Sequence, residues 1–363
     1  MDTKTLKTLS TTLFSDSPRY VILYVTAVCN ARCSFCFYWE PIQNADKLNE
    51  LSLEELEEIS KKFKKVTYLT LTGGEPFLRP DLEKVVKLFV DNCGTEFVNI
   101  PTNAGLPTIT LKKVEQMLIE NPNVNFRIAP SIDAIGEEHN TIRKVKGLFD
   151  KILITYAGLC ELRKKYKRLN IDVTTTYSSY TENSIQDLLK YIRENLDIDN
   201  LGINLARGDV EDEIAKEINI NRYEHVIREN EELSFKKHVN RKDFRLKLLK
   251  AVKNLTRDVI LETVREKKMV IPCTAGKKFI VINEVGDVYP CDIFINHEDK
   301  LLGKLRENDY DINKLLKAQK AQGVIKWIKD TQCHCTFECG IQNNIVFSPK
   351  TYPKVLKKLI QSN

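Results

Sequence analysis

The sequence predicts a parallel α/β barrel of six strand–helix units, followed by a smaller cysteine-rich α+β domain. Apolar, β-branched segments alternate six times with helical segments between Tyr20 and Leu233, and such alternation indicates a parallel sheet with right-handed crossovers. With 363 residues the chain exceeds the size at which a single core usually stops growing, which favours a second domain. Eight of the ten cysteines fall in two groups, at positions 29–36 and 273–339.

The elements of the barrel follow in order from their composition. The first strand is the apolar run Tyr20–Val25, and the first long helix begins at Ser52, where Glu55 completes a capping box. β-branched and aromatic residues predict the other five strands, and apolar stripes predict the helices after them. The strands are predicted at 66–72, 97–102, 124–133, 171–176 and 201–205, and the helices at 81–90, 111–118, 148–166, 185–196 and about 222–233.

Composition limits the class of protein and its location. Hydrophobic residues make up 42% and charged residues 29%, as in a soluble globular protein. No apolar run reaches the ~18 residues that can span a bilayer, and Met1–Ser17 lacks the features of a secretory signal. We therefore expect a cytoplasmic protein, in which reducing conditions make clustered cysteines metal ligands and not disulfides. Cys93 and Cys160 stand alone and are interpreted as small buried hydrophobic residues.

A basic segment accounts for the net charge of +6. Between Arg241 and Lys268 there are ten Lys or Arg and four Asp or Glu. An apolar stripe through Leu248, Val252 and Leu255 makes this segment a helix with a solvated face. The alternative is a surface that binds an anion or an acidic partner, and we expect no nucleic-acid partner.

The first cysteine group follows directly after the first strand. Cys29, Cys33 and Cys36 have the spacing C-x3-C-x2-C, and a loop at the end of a buried strand can direct three thiolates to one point. Three thiolates can hold three irons of a [4Fe-4S] cluster and leave the fourth iron open to another ligand. The alternatives are buried structural thiols or a zinc site, although zinc usually requires a fourth Cys or His nearby and the first histidine is His139.

At these residues the chain resembles the radical S-adenosylmethionine (SAM) enzymes, whose signature is this spacing with an aromatic residue before the third cysteine, here Phe35. The resemblance implies that Cys29, Cys33 and Cys36 hold the catalytic cluster and that its open iron binds the amino and carboxylate groups of SAM. Phe35 would pack near the adenine. The resemblance also implies that the barrel is open, a partial (β/α)6 barrel.

Polar residues follow the ends of the other strands, which is where such barrels place their chemistry. Strand two ends in Gly73, Gly74 and Glu75. Glycines permit close backbone approach, and the carboxylate can accept hydrogen bonds from an ammonium group. This stretch resembles the glycine-rich motif that holds the amino group of SAM, although alone it is only a turn.

Four further residues are candidates for contact with the ribose and carboxylate of SAM, on the strength of the same resemblance. They are Asn103 after strand three, Ser131 and Asp133 after strand four, and Arg143. Each could instead be an ordinary edge residue or a helix cap. Asn204 and Arg207 at the end of strand six face the same edge, and Arg207 could equally be a surface charge.

The second cysteine group begins with a predicted hairpin. Strands at 278–282 and 287–291 flank a glycine-containing turn and bring Cys273 close to Cys291. Cys333, Cys335 and Cys339 follow within seven residues. Five cysteines here indicate a second metal site, and the alternative is a four-cysteine zinc knuckle.

The pattern C-x12-G-x4-C with a distal cysteine group resembles the SPASM and twitch extensions of radical SAM enzymes. A full SPASM domain has seven cysteines and two clusters, whereas five suffice for one fully ligated auxiliary [4Fe-4S] cluster. We expect Cys273, Cys291 and Cys339 as ligands, with Cys333 and Cys335 competing for the fourth place. The predicted division is a barrel at 18–235, a helical linker at 236–270, the auxiliary domain at 271–345 and a helical tail at 346–363.

The resemblance implies a reaction in which a flavodoxin or ferredoxin supplies one electron, SAM is cleaved, and a 5′-deoxyadenosyl radical abstracts hydrogen from an unactivated carbon. The short segment before Tyr20 leaves no room for a peptide-leader domain, so we expect a small polar metabolite, sugar or lipid precursor as substrate. The alternatives are a peptide- or protein-modifying maturase and, from another class, a non-catalytic iron–sulfur or zinc scaffold.

Overall fold

A computed structural model describes residues 17–234 and 244–361. The segment examined for a secretory signal, apart from Ser17, lies outside the described residues, as do residues 235–243 of the predicted barrel and linker and the last two residues of the tail. The strands are β1 Tyr20–Thr26, β2 Tyr68–Gly73, β3 Phe97–Thr102, β4 Asn125–Pro130, β5 Leu169–Tyr177, β6 Asn200–Leu205, β7 Phe279–Ile282, β8 Asp287–Tyr289 and β9 Gly303–Lys304.

The helices in the half of the chain that forms the barrel are α1 Trp39–Gln43, α2 Leu53–Lys62, α3 Leu82–Cys93, α4 Pro107–Glu120, α5 Glu137–Arg143, α6 Leu148–Lys165 and α7 Ile185–Asn195. Those that follow are α8 Ile220–Ser234, α9 Phe244–Glu266, α10 Ile312–Lys317, α11 Gln319–Asp330, α12 Glu338–Phe347 and α13 Tyr352–Gln361. No helix in the described parts of the chain is both long and apolar enough to cross a membrane.

The first six strands form one parallel sheet in the order β6-β5-β4-β3-β2-β1. Every residue of β1 is buried, as expected of a parallel strand with both faces covered. The capping box at Ser52 is present at the start of α2. β6 and β9 are the two edges of the sheet, so the barrel does not close and the predicted partial (β/α)6 architecture is confirmed.

The predicted hairpin is also present, but it does not stand apart from the barrel. β7 pairs with β8 antiparallel, with Val281 opposite Tyr289, and pairs on its other side with β1 in parallel, with Tyr20 opposite Phe279. The sheet therefore runs on without a break through the start of the cysteine-rich segment. A physical reason is that β1 is buried and its second edge needs hydrogen-bond partners.

The fourth strand is shorter than predicted at its carboxyl end. The fourth strand ends at Pro130 and not at Asp133, because beyond it only Ser131 still bridges to Thr174 of β5. The following turn reaches Gly136, which has φ +60°, and α5 begins directly after it. The short helices α1 and α5 were not predicted.

Two hydrophobic cores support the sheet. One lies around β1–β4 and the β7–β8 hairpin, and the other lies between β5, β6 and the helices α7, α8 and α9. α9 packs against α12 and α13, so the predicted tail helix is tied to the segment preceding the second cysteine group. Val355 is the residue of α13 that this packing buries.

Candidate functional site

A cavity of about 210 Å³ opens at the carboxyl ends of β1–β6. It lies where parallel barrels place their chemistry. Its lining contains most of the residues that the sequence indicated: Cys29, Cys33, Cys36, Phe35, Gly73, Gly74, Glu75, Asn103, Ser131 and Arg143. Two residues expected at this edge, Asp133 and Asn204, are absent from the lining.

The two glycines hold the cysteine loop in place. A β-carbon at Gly73 would lie 2.2 Å from the carbonyl oxygen of Thr26, and one at Gly74 would lie 2.3 Å from that of Val28. Gly74 N–H donates to Thr26 O at 2.8 Å, and Gly73 has φ +130°, a backbone conformation that favours glycine. The two glycines therefore allow the end of β2 to lie close to the loop that carries Cys29, and not only to a ligand in the cavity.

Glu75 is a buried carboxylate with three protein donors. Its side-chain oxygens accept hydrogen bonds from Thr102 Oγ1 at 2.7 Å, Asn103 N–H at 2.8 Å and Phe77 N–H at 3.2 Å. Burial raises the pKa of this carboxyl, and the hydrogen bonds oppose that rise. Asn103 in turn donates from its side chain to Asn30 at 2.7 Å, which links this network to the cysteine loop.

Arg143 is held by a buried ion pair behind the cavity wall. Its Nε donates to Asp133 Oδ2 at 2.7 Å, and its guanidinium lies 5.8 Å from the centre of the Phe35 ring. The other oxygen of Asp133 accepts from Thr176 N–H at 2.8 Å. Burial lowers the pKa of the neighbouring His139 to about 4, so this imidazole is neutral and its Nδ1 accepts from Asp133 N–H. Asp133 therefore positions Arg143 and does not face the cavity.

The thiols of the first cysteine group are poor anions in the protein alone. Burial raises the pKa of Cys29 to about 11, and it raises the pKa of Cys33 and of Cys36 as well. The positive charge of Arg143 opposes the rise at all three. Buried thiols become ligands as thiolates when a cation compensates their charge, and three of them on one cavity fit an iron–sulfur cluster with an open iron.

A second, small cavity lies among the residues of the second cysteine group. Four cysteines line it, Cys273, Cys291, Cys333 and Cys335. Burial raises the pKa of Cys333 to about 11 and of Cys335 to about 12. A four-thiol set is the donor chemistry of a fully ligated [4Fe-4S] cluster.

Cys339, an expected ligand of the auxiliary cluster, lies apart from the other four cysteines of the second group. It does not line this cavity and lies near Tyr20 and Arg207. α12 begins at Glu338, so Cys339 belongs to the first turn of a helix and not to the preceding loop. Cys333 and Cys335 both line the cavity with Cys273 and Cys291.

In the described residues, no group of three or more His, Cys, Asp and Glu side chains is arranged to hold a metal ion. The cysteines of both groups are instead spread around their cavities.

Sequence reasoning missed several residues of the first cavity: Phe37, Thr176, Ala206 and Glu211. Phe37 could have been found from its place directly after Cys36, and Thr176 from its place at the end of β5. Arg207 was expected at this edge, with a surface charge as the alternative, and its side chain is 17% exposed and lines the cavity. Glu211 lies in an irregular segment that carries no sequence signal.

The chain is similar in sequence to a known superfamily and to several enzymes. The Radical SAM superfamily model matches residues 23–192. An AdoMet-dependent heme synthase of Methanosarcina barkeri is 25% identical over 313 residues, which cover 82% of this chain and 82% of the synthase. A GTP 3′,8-cyclase of Sulfurimonas denitrificans is 33% identical over 112 residues, which cover 30% of this chain and 34% of the cyclase. The chain thus spans about a third of that cyclase's length.

Solved structures share the fold. Streptococcus suis SuiB bound to S-adenosylmethionine aligns with a TM-score of 0.62 at 16% identity, over 94% of this chain and 75% of SuiB. The enzyme anSMEcpe with bound AdoMet aligns with a TM-score of 0.60 at 20% identity, over 95% of this chain and 99% of that protein. At these identities the likeness concerns the fold alone.

Proposed function

We propose, from the membership of this chain in the radical SAM superfamily, that it cleaves SAM reductively and uses the product to remove hydrogen from an unactivated C–H bond of a small molecule. The observation that carries the proposal is the convergence of Cys29, Cys33, Cys36 and Glu75 on one cavity. When bound there, a reduced [4Fe-4S] cluster and SAM supply the 5′-deoxyadenosyl radical chemistry on which this superfamily depends.

The residues of the chain hold and orient the two cofactors. The three thiolates would hold three irons and leave one position for SAM. Glu75 would accept hydrogen bonds from the SAM ammonium group, whose charge would offset the cost of keeping this buried carboxylate ionised. Asn103 and Ser131 would contact the ribose and carboxylate of SAM, Phe35 would pack near the adenine, and Arg143, fixed by Asp133, would favour the thiolates electrostatically.

The second cavity supports an auxiliary [4Fe-4S] cluster held by Cys273, Cys291, Cys333 and Cys335. We assign these residues, with the segment 271–345 around them, to the part of the protein that assists after SAM cleavage. The segment 18–235 supplies the SAM site, residues 236–270 connect the two, and 346–363 form the tail. A flavodoxin or ferredoxin is the proposed electron donor.

A small metabolite is favoured over a peptide as the substrate. The relatives found by sequence carry names of small-molecule enzymes, a heme synthase and GTP 3′,8-cyclases. The structural neighbours include SuiB bound to its precursor peptide, but at 16% identity this likeness speaks for the fold only. The substrate class we propose is a small polar metabolite, sugar or lipid precursor.

The test is SAM cleavage by the anaerobically reconstituted, dithionite-reduced protein. We expect about eight irons per chain, four for each cluster, together with formation of 5′-deoxyadenosine and methionine. A variant with Cys29, Cys33 and Cys36 all replaced by Ala should lose about half of the iron and all of the cleavage. Cys160→Ala, outside both cysteine groups, is the control. Cleavage that survives in the triple variant would refute the proposal.

A further inference from the structure

The guanidinium group of Arg207 is held between two aromatic rings beside the first cavity. Arg207 lies just beyond the end of β6 at Leu205, and its guanidinium carbon lies 5.4 Å from the centre of the Phe37 ring and 5.0 Å from that of Phe337. Both distances are within the range of cation–π attraction. Phe37 lines the first cavity and Phe337 the second, so the arginine stands between the two cysteine sites.

The hydrogen-bonding groups of Arg207 remain uncommitted within the described part of the chain. Its Nε is buried without a partner, and its ion pair with the buried carboxylate of Asp292 spans 3.8 Å, which is too long for a hydrogen bond. The two other arginines that line the cavity are occupied. Arg143 is bonded to Asp133, and Arg32 donates to two backbone carbonyls of the cysteine loop.

The acidic residues of the cavity do not supply the missing partner. Glu75 is already bonded to three donors, and Glu211 pairs with Lys144 at 3.1 Å. Leaving a buried donor unsatisfied is costly, and an arginine fixed by stacking presents its planar set of donors in a geometry that matches a carboxylate or phosphate. Arg207 therefore keeps hydrogen-bond donors available for a further anion, beyond its long ion pair with Asp292.

We propose that Arg207 binds an anionic group, a carboxylate or a phosphate, of the substrate. This assignment rests on the proposed function and narrows the substrate to an acidic small molecule. Bound in this way, the substrate would lie between the SAM site and the auxiliary site, within reach of both. The stacking on Phe37 and Phe337 fixes the direction in which the anion must approach.

Chemical modification tests the proposal on the intact reconstituted protein, with and without bound SAM. Phenylglyoxal reacts with free guanidinium groups, and peptide mass spectrometry gives the rate at each arginine. We expect acetate or inorganic phosphate to slow modification of Arg207, by about tenfold at ten times the dissociation constant of the anion, relative to chloride at equal ionic strength. Modification of Arg127, whose side chain is 55% exposed on β4, should not change.

The two anions distinguish a substrate carboxylate from a substrate phosphate. Protection by acetate alone would indicate that the substrate group bound by Arg207 is a carboxylate, and protection by phosphate alone would indicate that it is a phosphate. Protection by SAM without any added anion would assign Arg207 to SAM and overturn the proposal. Equal rates under all conditions would overturn it as well.

Thermal stabilisation gives a second measurement if Arg207 reacts too slowly. A ligand that binds only the folded protein raises its melting temperature. Acetate or phosphate should raise the melting temperature of the wild-type protein above its value in the chloride control. Arg207→Gln should lose this increment, because the loss of a hydrogen bond to a charged group weakens binding about ten- to hundredfold, while Arg127→Gln should keep it. An increment retained in Arg207→Gln would contradict the proposal.

The outcomes also distinguish this inference from the function on which it rests. If the wild type fails to cleave SAM, the proposed function fails, whatever the anions do. If the wild type cleaves SAM while neither anion protects Arg207 nor stabilises the protein through it, the function stands and the anionic substrate does not.

Discussion

The backbone of Gly74 lies against that of Val28, so that a β-carbon on residue 74 would sit 2.3 Å from the carbonyl oxygen of Val28. The same oxygen accepts a hydrogen bond from Glu75 N–H at 2.8 Å. Val28 directly precedes Cys29. The end of β2 therefore fixes the position at which the first cysteine leaves β1.

Gly74→Ala should remove the cluster of the first site and leave the second. The added methyl group meets backbone atoms that cannot rotate away, so the loop with Cys29 must move. We expect about four of the eight irons to be lost, with SAM cleavage abolished, as measured by iron and sulfide analysis and by 5′-deoxyadenosine formation. Gly323→Ala is the matched control, because no atom lies within 4 Å of a β-carbon there. Full iron content in Gly74→Ala would show that the loop adapts.

Glu75→Gln should weaken SAM binding while both clusters remain. Removing the charge from a hydrogen bond to an ammonium group costs about 1.5–3 kcal/mol, or about ten- to hundredfold in affinity. Equilibrium dialysis of SAM against the reconstituted variant measures the change.

Glu50→Gln is the control for this measurement. Glu50 also accepts hydrogen bonds beside the cysteine loop, from Thr26 Oγ1 at 2.8 Å and Ala27 N–H at 2.7 Å, but it does not line the first cavity. If Glu75→Gln binds SAM with wild-type affinity, Glu75 does not bind the ammonium group and is only a turn residue.

The second cysteine group should respond unequally to single substitutions. Cys335→Ser should lose about four irons, whereas Cys339→Ser should keep all of them, because Cys339 lies off the cavity. Equal loss in both variants would place Cys339 among the ligands.

The role of the auxiliary cluster can be separated from its effect on stability. Cys291→Ala should still form 5′-deoxyadenosine without product if the cluster acts after SAM cleavage. If the cluster only supports folding, the variant should lose 5′-deoxyadenosine formation and product formation together, and its thermal stability should fall. Product formation by a folded, cluster-depleted variant would exclude a redox role.

Glu284 should make the protein less stable as the pH rises. Its carboxyl is buried and bonded to the Tyr38 hydroxyl, and burial raises its pKa from the ordinary 4.5 to about 7. The folded state therefore binds more protons than the unfolded state between these values, so stability is highest below about pH 4.5 and falls until about pH 7. The total loss is roughly 3 kcal/mol.

Glu284→Gln resembles the protonated carboxyl and should abolish this dependence. The measurement is the difference in melting temperature between wild type and variant from pH 5 to pH 8, in which other titrating groups cancel. Glu298→Gln, at an exposed position nearby, should follow the wild type. Parallel curves for wild type and Glu284→Gln would contradict the raised pKa.

The sequence predicted the barrel well because its signals are local. β-branched strands and the capping box at Ser52 depend on neighbouring residues only, and both are present in the structure. The spacing of Cys29, Cys33 and Cys36 likewise needs only one loop. The features that were missed depend on distant parts of the chain. The pairing of β7 with β1, the hydrogen bond from Thr176 to Asp133 and the stacking of Arg207 on Phe337 join segments that no local pattern connects.

The pairing of Tyr20 with Phe279 also bears on how the protein is made. A ribosome adds about 5–20 residues per second, so β1 emerges on the order of ten to fifty seconds before the strand that completes its second edge. During that interval an apolar strand with unpaired backbone groups is open to association with other chains. A newly made chain therefore depends on its last third to protect its first strand, and translation that stops before β7 leaves a product prone to aggregate.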